Sequence, residues 1–156
     1  MESRYKSDGE RARQLIANNK YMVVATTDKE LKPWAAPVFY VHDKKYNFFF
    51  LSAADSRHGE NISENRNISI VIFDSSQPIG SYDGVQMEGE ATVVMKKDLP
   101  DVINMYCNRL FPNSNVPPTE RYKPEDYSEP SEFRFFKVEI KNAYIIGVDR
   151  RVRVTL

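Results

Sequence analysis

One cysteine, Cys107, is all the chain carries, which excludes an intramolecular disulfide and any thiolate zinc site. Histidine is nearly as scarce. With only His42 and His58, and no carboxylate cluster at ligand spacing, no metal centre is expected. Charge of one sign is missing too: 22 basic residues balance 22 acidic ones, so no global field favours nucleic acid or an anionic membrane. No apolar run approaches the roughly 20 residues that span a bilayer. Nothing at the start resembles a signal peptide, and there are no repeats or low-complexity tracts. Nor does any Ser/His/Asp or Cys/His order recommend nucleophilic catalysis. What is left is a chain of 156 residues, 41% of them hydrophobic, read as one cytoplasmic domain with room for a real core.

Strand signals dominate that chain. Ser7-Asp8-Gly9-Glu10 reads as a capping box, followed by Ala12, Leu15 and Ile16 on one face of a helix that ends near Asn18-Asn19 and plugs the end of a barrel. Alternation and turn residues then predict strands over Tyr21–Thr27, Trp34–His42, Tyr46–Ser52, Ile68–Phe73 and Val85–Met95, with His42 entering a hairpin turn. A further helix is expected from Asp98, as N-cap, to Leu110. Val102, Ile103, Tyr106 and Leu110 share its face, and Cys107 is a small buried hydrophobe in it. Five of the nine prolines fall in the irregular stretch 112–130. Phe133–Ile140, Ala143–Val148 and Arg151–Val154 return as strands. The fold class is mainly β: a barrel of about 6–8 mostly antiparallel strands with about three short helices.

Two of these strands are apolar on both faces, Phe48–Leu51 and Ile70–Phe73. One face fills the barrel. The other must pack against something, most economically a second copy of the chain, with cover by helices as the alternative.

The candidate chemistry begins where the strand ending in Leu51 runs into Ser52-Ala53-Ala54-Asp55-Ser56-Arg57-His58-Gly59. A helix N-terminus offers unpaired N–H groups and a positive dipole end, so Ser52, Ser56, Arg57 and His58 read as a phosphate cradle; an ordinary capped surface helix is the alternative. Charge-assisted hydrogen bonds contribute about 1.5–3 kcal/mol each, while association costs roughly 4–15 kcal/mol. A cradle alone therefore falls short of micromolar binding, and its phosphate must carry an apolar body.

Two other stretches could meet that body. Trp34-Ala35-Ala36-Pro37-Val38-Phe39-Tyr40 has a proline inside a strand, which implies an edge or bulge with free main-chain groups that a flat ring can approach closely over Ala35 and Ala36. The plainer reading is an awkward edge strand. In Gly84-Val85-Gln86-Met87-Glu88-Gly89-Glu90-Ala91 the alternation turns Val85, Met87, Gly89 and Ala91 inward and Gln86 outward, either toward a ring edge or simply into water.

The order of these pieces resembles the pyridoxamine 5′-phosphate oxidase-like, FMN-binding split β-barrel family. The resemblance runs through W-x-x-P-x-x-Y (Trp34, Pro37, Tyr40), S-x-x-x-S-R-H (Ser52, Ser56, Arg57, His58), N-I-x-x-N (Asn61, Ile62, Asn65), I-S-I-x-I-F (Ile68 to Phe73) and G-V-Q-x-x-G-x-A (Gly84 to Ala91). It is good over roughly residues 20–95 and looser beyond, where Tyr106-x-x-Arg109-x-Phe111-Pro112 is similar to small members.

The resemblance implies a homodimer with one FMN at each of two interfacial sites. Arg57 and His58 would contact phosphate with Ser52 and Ser56 assisting, and the ring would lie along the backbone of Ala36, Pro37, Val38, Phe39 and Tyr40 beside Leu51. Gln86 would reach the ring from the other subunit. The chain departs from true pyridoxamine phosphate oxidases in lacking an Arg near Ala36 and a Lys near Val41, and Arg150-Arg151-Val152-Arg153-Val154 does not show their Arg and His pair. Oxidation of pyridoxamine phosphate is therefore not expected. The expectation is a flavin-dependent oxidoreductase whose substrate and electron donor the residues do not specify. The alternatives are a non-catalytic flavin-binding or stress-related module, or a binder of deazaflavin or haem. Tyr82, Tyr122 and the 112–130 stretch are either a substrate lid or an inert loop.

Overall fold

A computed structural model of the chain describes residues 7–78, 83–113, 115, 117, 120, 122–146 and 151–156. Its strands are β1 (Tyr21–Thr27), β2 (Pro33–His42), β3 (Phe48–Ala53), β4 (Asn67–Phe73), β5 (Gly84–Val93), β6 (Phe133–Ile146) and β7 (Arg151–Val154), and its helices are α1 (Asp8–Asn18), α2 (Arg57–Glu64) and α3 (Leu99–Leu110). The strands form one antiparallel sheet of order β3-β2-β1-β4-β5-β6-β7. Pairing of β3 with β6 closes six of them into a barrel and leaves β7 as an extra strand on β6. No helix among the described residues is long and apolar enough to cross a membrane.

Period-two burial fills the barrel. Val85, Met87 and Ala91 of β5 meet Val24, Ile70, Phe48, Phe50 and Phe136 from the other strands in one core. The helix α1 closes one end: Ser7 Oγ accepts from Glu10 N–H at 3.1 Å, and Ala12, Leu15 and Ile16 are buried against that core.

Four expectations change. The stretches 133–140 and 143–148 are, as far as Ile146, one strand, because the register shift between Glu88 and Gly89 leaves Lys141 as an extra residue, a β-bulge, rather than a break. Gly89 makes this possible: a Cβ there would stand 2.5 Å from Glu139 O. Asp98 is no side-chain cap. It lies in αR conformation at the end of a tight helical turn, Lys96–Asp98, that runs straight into α3.

The third change concerns the outer face of β3. It is covered by α3 and not by a second copy: Val41, Phe49 and Phe135 are buried against Leu99, Val102, Ile103, Cys107 and Tyr127 in a second core outside the barrel. Packing there is largely aromatic, with Phe135 edge-on to Tyr106 and Tyr127 at 5.1 and 4.9 Å. Leu110, expected on the packed face, is exposed.

Candidate functional site

Strands β2 and β3 pair only over Tyr40–His42 and Phe50–Phe48. Beyond that point β3 continues as Leu51–Ala53 alongside β6, while β2 runs back to Pro33 alongside β1, so the barrel splits between them. The backbone on each side of the split can be assigned. Tyr40 N–H donates to Lys20 O at 3.3 Å, on the β1 side, so by alternation the main-chain groups of Ala35, Pro37 and Phe39 face the split. Across it, Ala54 N–H turns to Glu132 O at 2.9 Å on the β6 side, which leaves Leu51 facing β2. Pro37 is thus an edge residue within an otherwise interior strand. Its missing N–H falls where no ladder exists.

The side chains of Ala36, Val38 and Tyr40 point the other way, into the barrel, and only their backbone is near the split. Tyr40 is fully buried. Its hydroxyl donates to Ile16 O at 2.6 Å, the Arg109 guanidinium lies 4.6 Å from its ring centre, and burial pushes its pKa up to about 12, against Arg109. It is a core residue and no acid at neutral pH.

The helix α2 starts at the mouth of the split. Ser56 is its N-cap: Ser56 Oγ accepts from Gly59 N–H at 3.2 Å and donates to Ala53 O at 2.7 Å. The N–H groups of Arg57 and His58, in the first turn, have no intrahelical acceptor. His58 is 8% exposed and folds back onto β3, its Nε2 2.7 Å from Ser52 Oγ and its ring 6.1 Å from that of Phe50. Burial lowers its pKa below 6.5. Arg57 is exposed and stacks over Trp34 at 4.6 Å, tying the start of α2 to the start of β2. Ser52, Ser56 and His58 are therefore one hydrogen-bonded group, with Arg57 beside it.

Residues that fix α2 escaped the sequence reading as functional. Asn61 Nδ2 donates to Thr26 Oγ1 at 2.9 Å in a buried contact, and Asn65 Nδ2 to Thr27 Oγ1 at 2.9 Å. Both belong to the N-I-x-x-N pattern, whose spacing of four puts them on one helix face. Gly59 is the third: a Cβ there would lie 2.5 Å from Ala54 O and 3.0 Å from Ala53 O. A glycine inside a helical pattern was its signal.

Gln86 is exposed on the outer sheet face, as its alternation requires. Pro37, Val23, Val71, Gln86 and Tyr144 form one cross-strand row. Gln86 sits three strand spacings from Pro37, roughly 14 Å at the usual inter-strand distance. It lines a groove of about 210 Å³ with Val23, Ala25, Ser69, Val71 and Tyr144. Tyr122 packs at 6.4 Å against both Phe111 and Tyr127 in the second core, so it serves as packing, while Tyr82 lies outside the described residues.

The model of the pyridoxamine 5′-phosphate oxidase family matches residues 9–147. Among solved structures, a haem-binding protein from Mycobacterium smegmatis is similar with TM-score 0.73 and 19% identity, over 98% of this chain and 60% of that protein. The haem storage protein HutZ of Vibrio cholerae gives 0.65 and 16%, over 88% of this chain and 95% of that one. General Stress Protein 26 of Bacillus anthracis gives 0.64 and 18%, over 94% and 98%. The chain thus spans about three-fifths of the mycobacterial protein's length, and at these identities the likeness is one of fold. No curated protein matches the chain. A family model matched from α1 through β6, on a barrel that splits between β2 and β3, places the chain in the pyridoxamine 5′-phosphate oxidase family.

Proposed function

We propose that the chain is an FMN-binding oxidoreductase that works as a homodimer. The observation that carries this reading is the split itself: main-chain groups of Ala35 and Pro37, beyond the last pair of β2 with β3, have no partner on β3, and the gap opens beside the first turn of α2. A phosphate at that turn would meet the N–H groups of Arg57 and His58, the Ser52 hydroxyl and the Arg57 guanidinium. Ser56 helps indirectly, because its hydroxyl is committed to the cap. Moving Arg57 off Trp34 costs about 0.5–1 kcal/mol for an exposed cation–π contact, less than the roughly 1.5–3 kcal/mol of a hydrogen bond to a charged group. The residues present fit the group.

When bound, flavin supplies hydride or single-electron chemistry. The protein's part is to bind it, to orient its ring along β2 and to exclude water. Gln86 is too far from the split in one chain to take part, so its role at the ring requires the second copy. The names of the mycobacterial and Vibrio neighbours favour haem as a second reading, and that of General Stress Protein 26 a stress-related module.

One experiment separates these. The protein purified with its native cofactor should show flavin absorption, release FMN on denaturation and turn over a reduced nicotinamide. A Soret band would establish haem instead, and bound flavin without turnover would establish the module.

A further inference from the structure

The hydroxyl protons around Ser52 can be counted. Ser56 has one, and it goes to Ala53 O at 2.7 Å, so in the 3.3 Å contact between Ser52 and Ser56 only Ser52 can donate. With the Ser52 proton on Ser56, the 2.7 Å bond is donated by His58 Nε2, and this is the one assignment that satisfies all three contacts together. The result is a chain running from His58 Nε2–H to Ser52, on to Ser56 and ending at Ala53 O. Its weakest link, at 3.3 Å, is the one that an anion at the start of α2 would replace.

From this bonding we infer that His58 is a positioning residue: with its proton on Nε2 it holds the Ser52 oxygen from behind, so that the Ser52 proton is the one offered to phosphate. The inference rests on the phosphate reading of the site and changes one part of it, because His58 then acts through Ser52 and does not touch the anion with its side chain. In this tautomer Nε2 cannot take a proton, so Ser52 and His58 are not a nucleophile and its base. Burial supports the uncharged ring. Phe50 and Ser52 of β3 face the ring, Ser52 is bonded on to Ser56, and burial alone, with no charged side chain of the described residues, lowers the pKa of the ring.

The test is FMN titration of four variants by fluorescence quenching, with the wild type as reference. His58→Phe should weaken binding roughly three- to tenfold, the range for one hydrogen bond. His58→Gln, which can donate to Ser52, should restore most of that loss. In a Ser52→Ala background His58→Phe should change affinity less than about twofold, because the path through Ser52 is already cut. The ratio of wild-type to His58→Phe affinity should stay flat from pH 6.5 to 8, a comparison from which the titration of the phosphate itself cancels. Nitrogen-15 NMR of the imidazole in the free protein should show Nε2 protonated and Nδ1 not.

Additive losses for His58 and Ser52, a ratio that falls as pH rises, or a proton on Nδ1 would each overturn the inference while FMN binding stands. A wild-type protein that takes up no FMN overturns the phosphate reading, and the inference with it. Urea unfolding of each variant identifies any loss that comes from the fold.

Discussion

His58 couples folding to pH through its burial. An exposed histidine takes a proton near pH 6.5, and burial lowers that value in the folded protein. Between the two values the unfolded state binds more protons than the folded state, so stability falls as pH drops below 6.5 and is whole above it. Denaturant midpoints measured from pH 7.5 down to 5 should decline for the wild type and decline less for His58→Phe; identical slopes would show the ring to be solvated. Gly59 is tested by adding one methyl. Gly59→Ala puts carbon 2.5 Å from Ala54 O, so either the loop or the first turn of α2 must move, costing about 1–3 kcal/mol. A urea midpoint within error of wild type would mean that the loop yields freely. Arg57 stands apart from both: being exposed, it should cost little stability when replaced. Arg57→Ala should weaken FMN binding about ten- to a hundredfold, more than His58→Phe. An equal or smaller loss in the same titration would move the phosphate away from α2.

Among the elements, α2 depends most on a few polar contacts. It has eight residues and buries only His58, Gly59, Asn61 and Ile62, too short to persist without tertiary help. Asn61→Ala removes the amide and leaves the Thr26 hydroxyl buried without it, which costs about 1–3 kcal/mol. Hydrogen exchange should show α2 losing protection in that variant while β4 and β5 keep theirs; uniform loss would mean that the helix and barrel unfold as one. The strands and α1 were legible in the sequence because period-two alternation and a Ser7 cap are local signals. The cover over Phe49 was not, because two apolar faces show that something must pack there without saying what, and α3 arrives from fifty residues away. The bulge at Lys141 was hidden for the same reason: its polar residues look like a break until Gly89 on the neighbouring strand makes room. The grouping of Ser52, Ser56, Arg57 and His58 at one strand-to-helix junction was legible as a set of residue types. The turn at 53–55 that folds His58 back onto Ser52 was not, because spacing alone does not bring Nε2 within 2.7 Å of Ser52 Oγ.

At the scale of the whole molecule, the barrel has two differently treated outer faces. Over β2, β3 and β6 the α3 helix supplies cover within the chain, whereas the face of β1, β4 and β5 presents Tyr21, Val23, Ala25, Val71 and Phe73 outward, with Tyr21 63% and Phe73 49% exposed. That surface has an apolar row, Pro37, Val23 and Val71, running from the split to Gln86. A two-fold axis through this face would bring one chain's Gln86 toward the other's split, which no arrangement within one barrel achieves. An interface of this kind in an obligate dimer buries more than about 2,000 Å² in total. A charge at its centre should be decisive, since it costs little on a solvated strand and several kcal/mol when buried unpaired. Val71→Glu should therefore convert a dimer into an 18.1 kDa monomer that keeps its barrel by circular dichroism and loses FMN affinity with the second copy. Light scattering that finds the wild type already monomeric at micromolar concentration would refute the shared site. A Val71→Glu protein that stays dimeric and fully loaded would place the interface on another face.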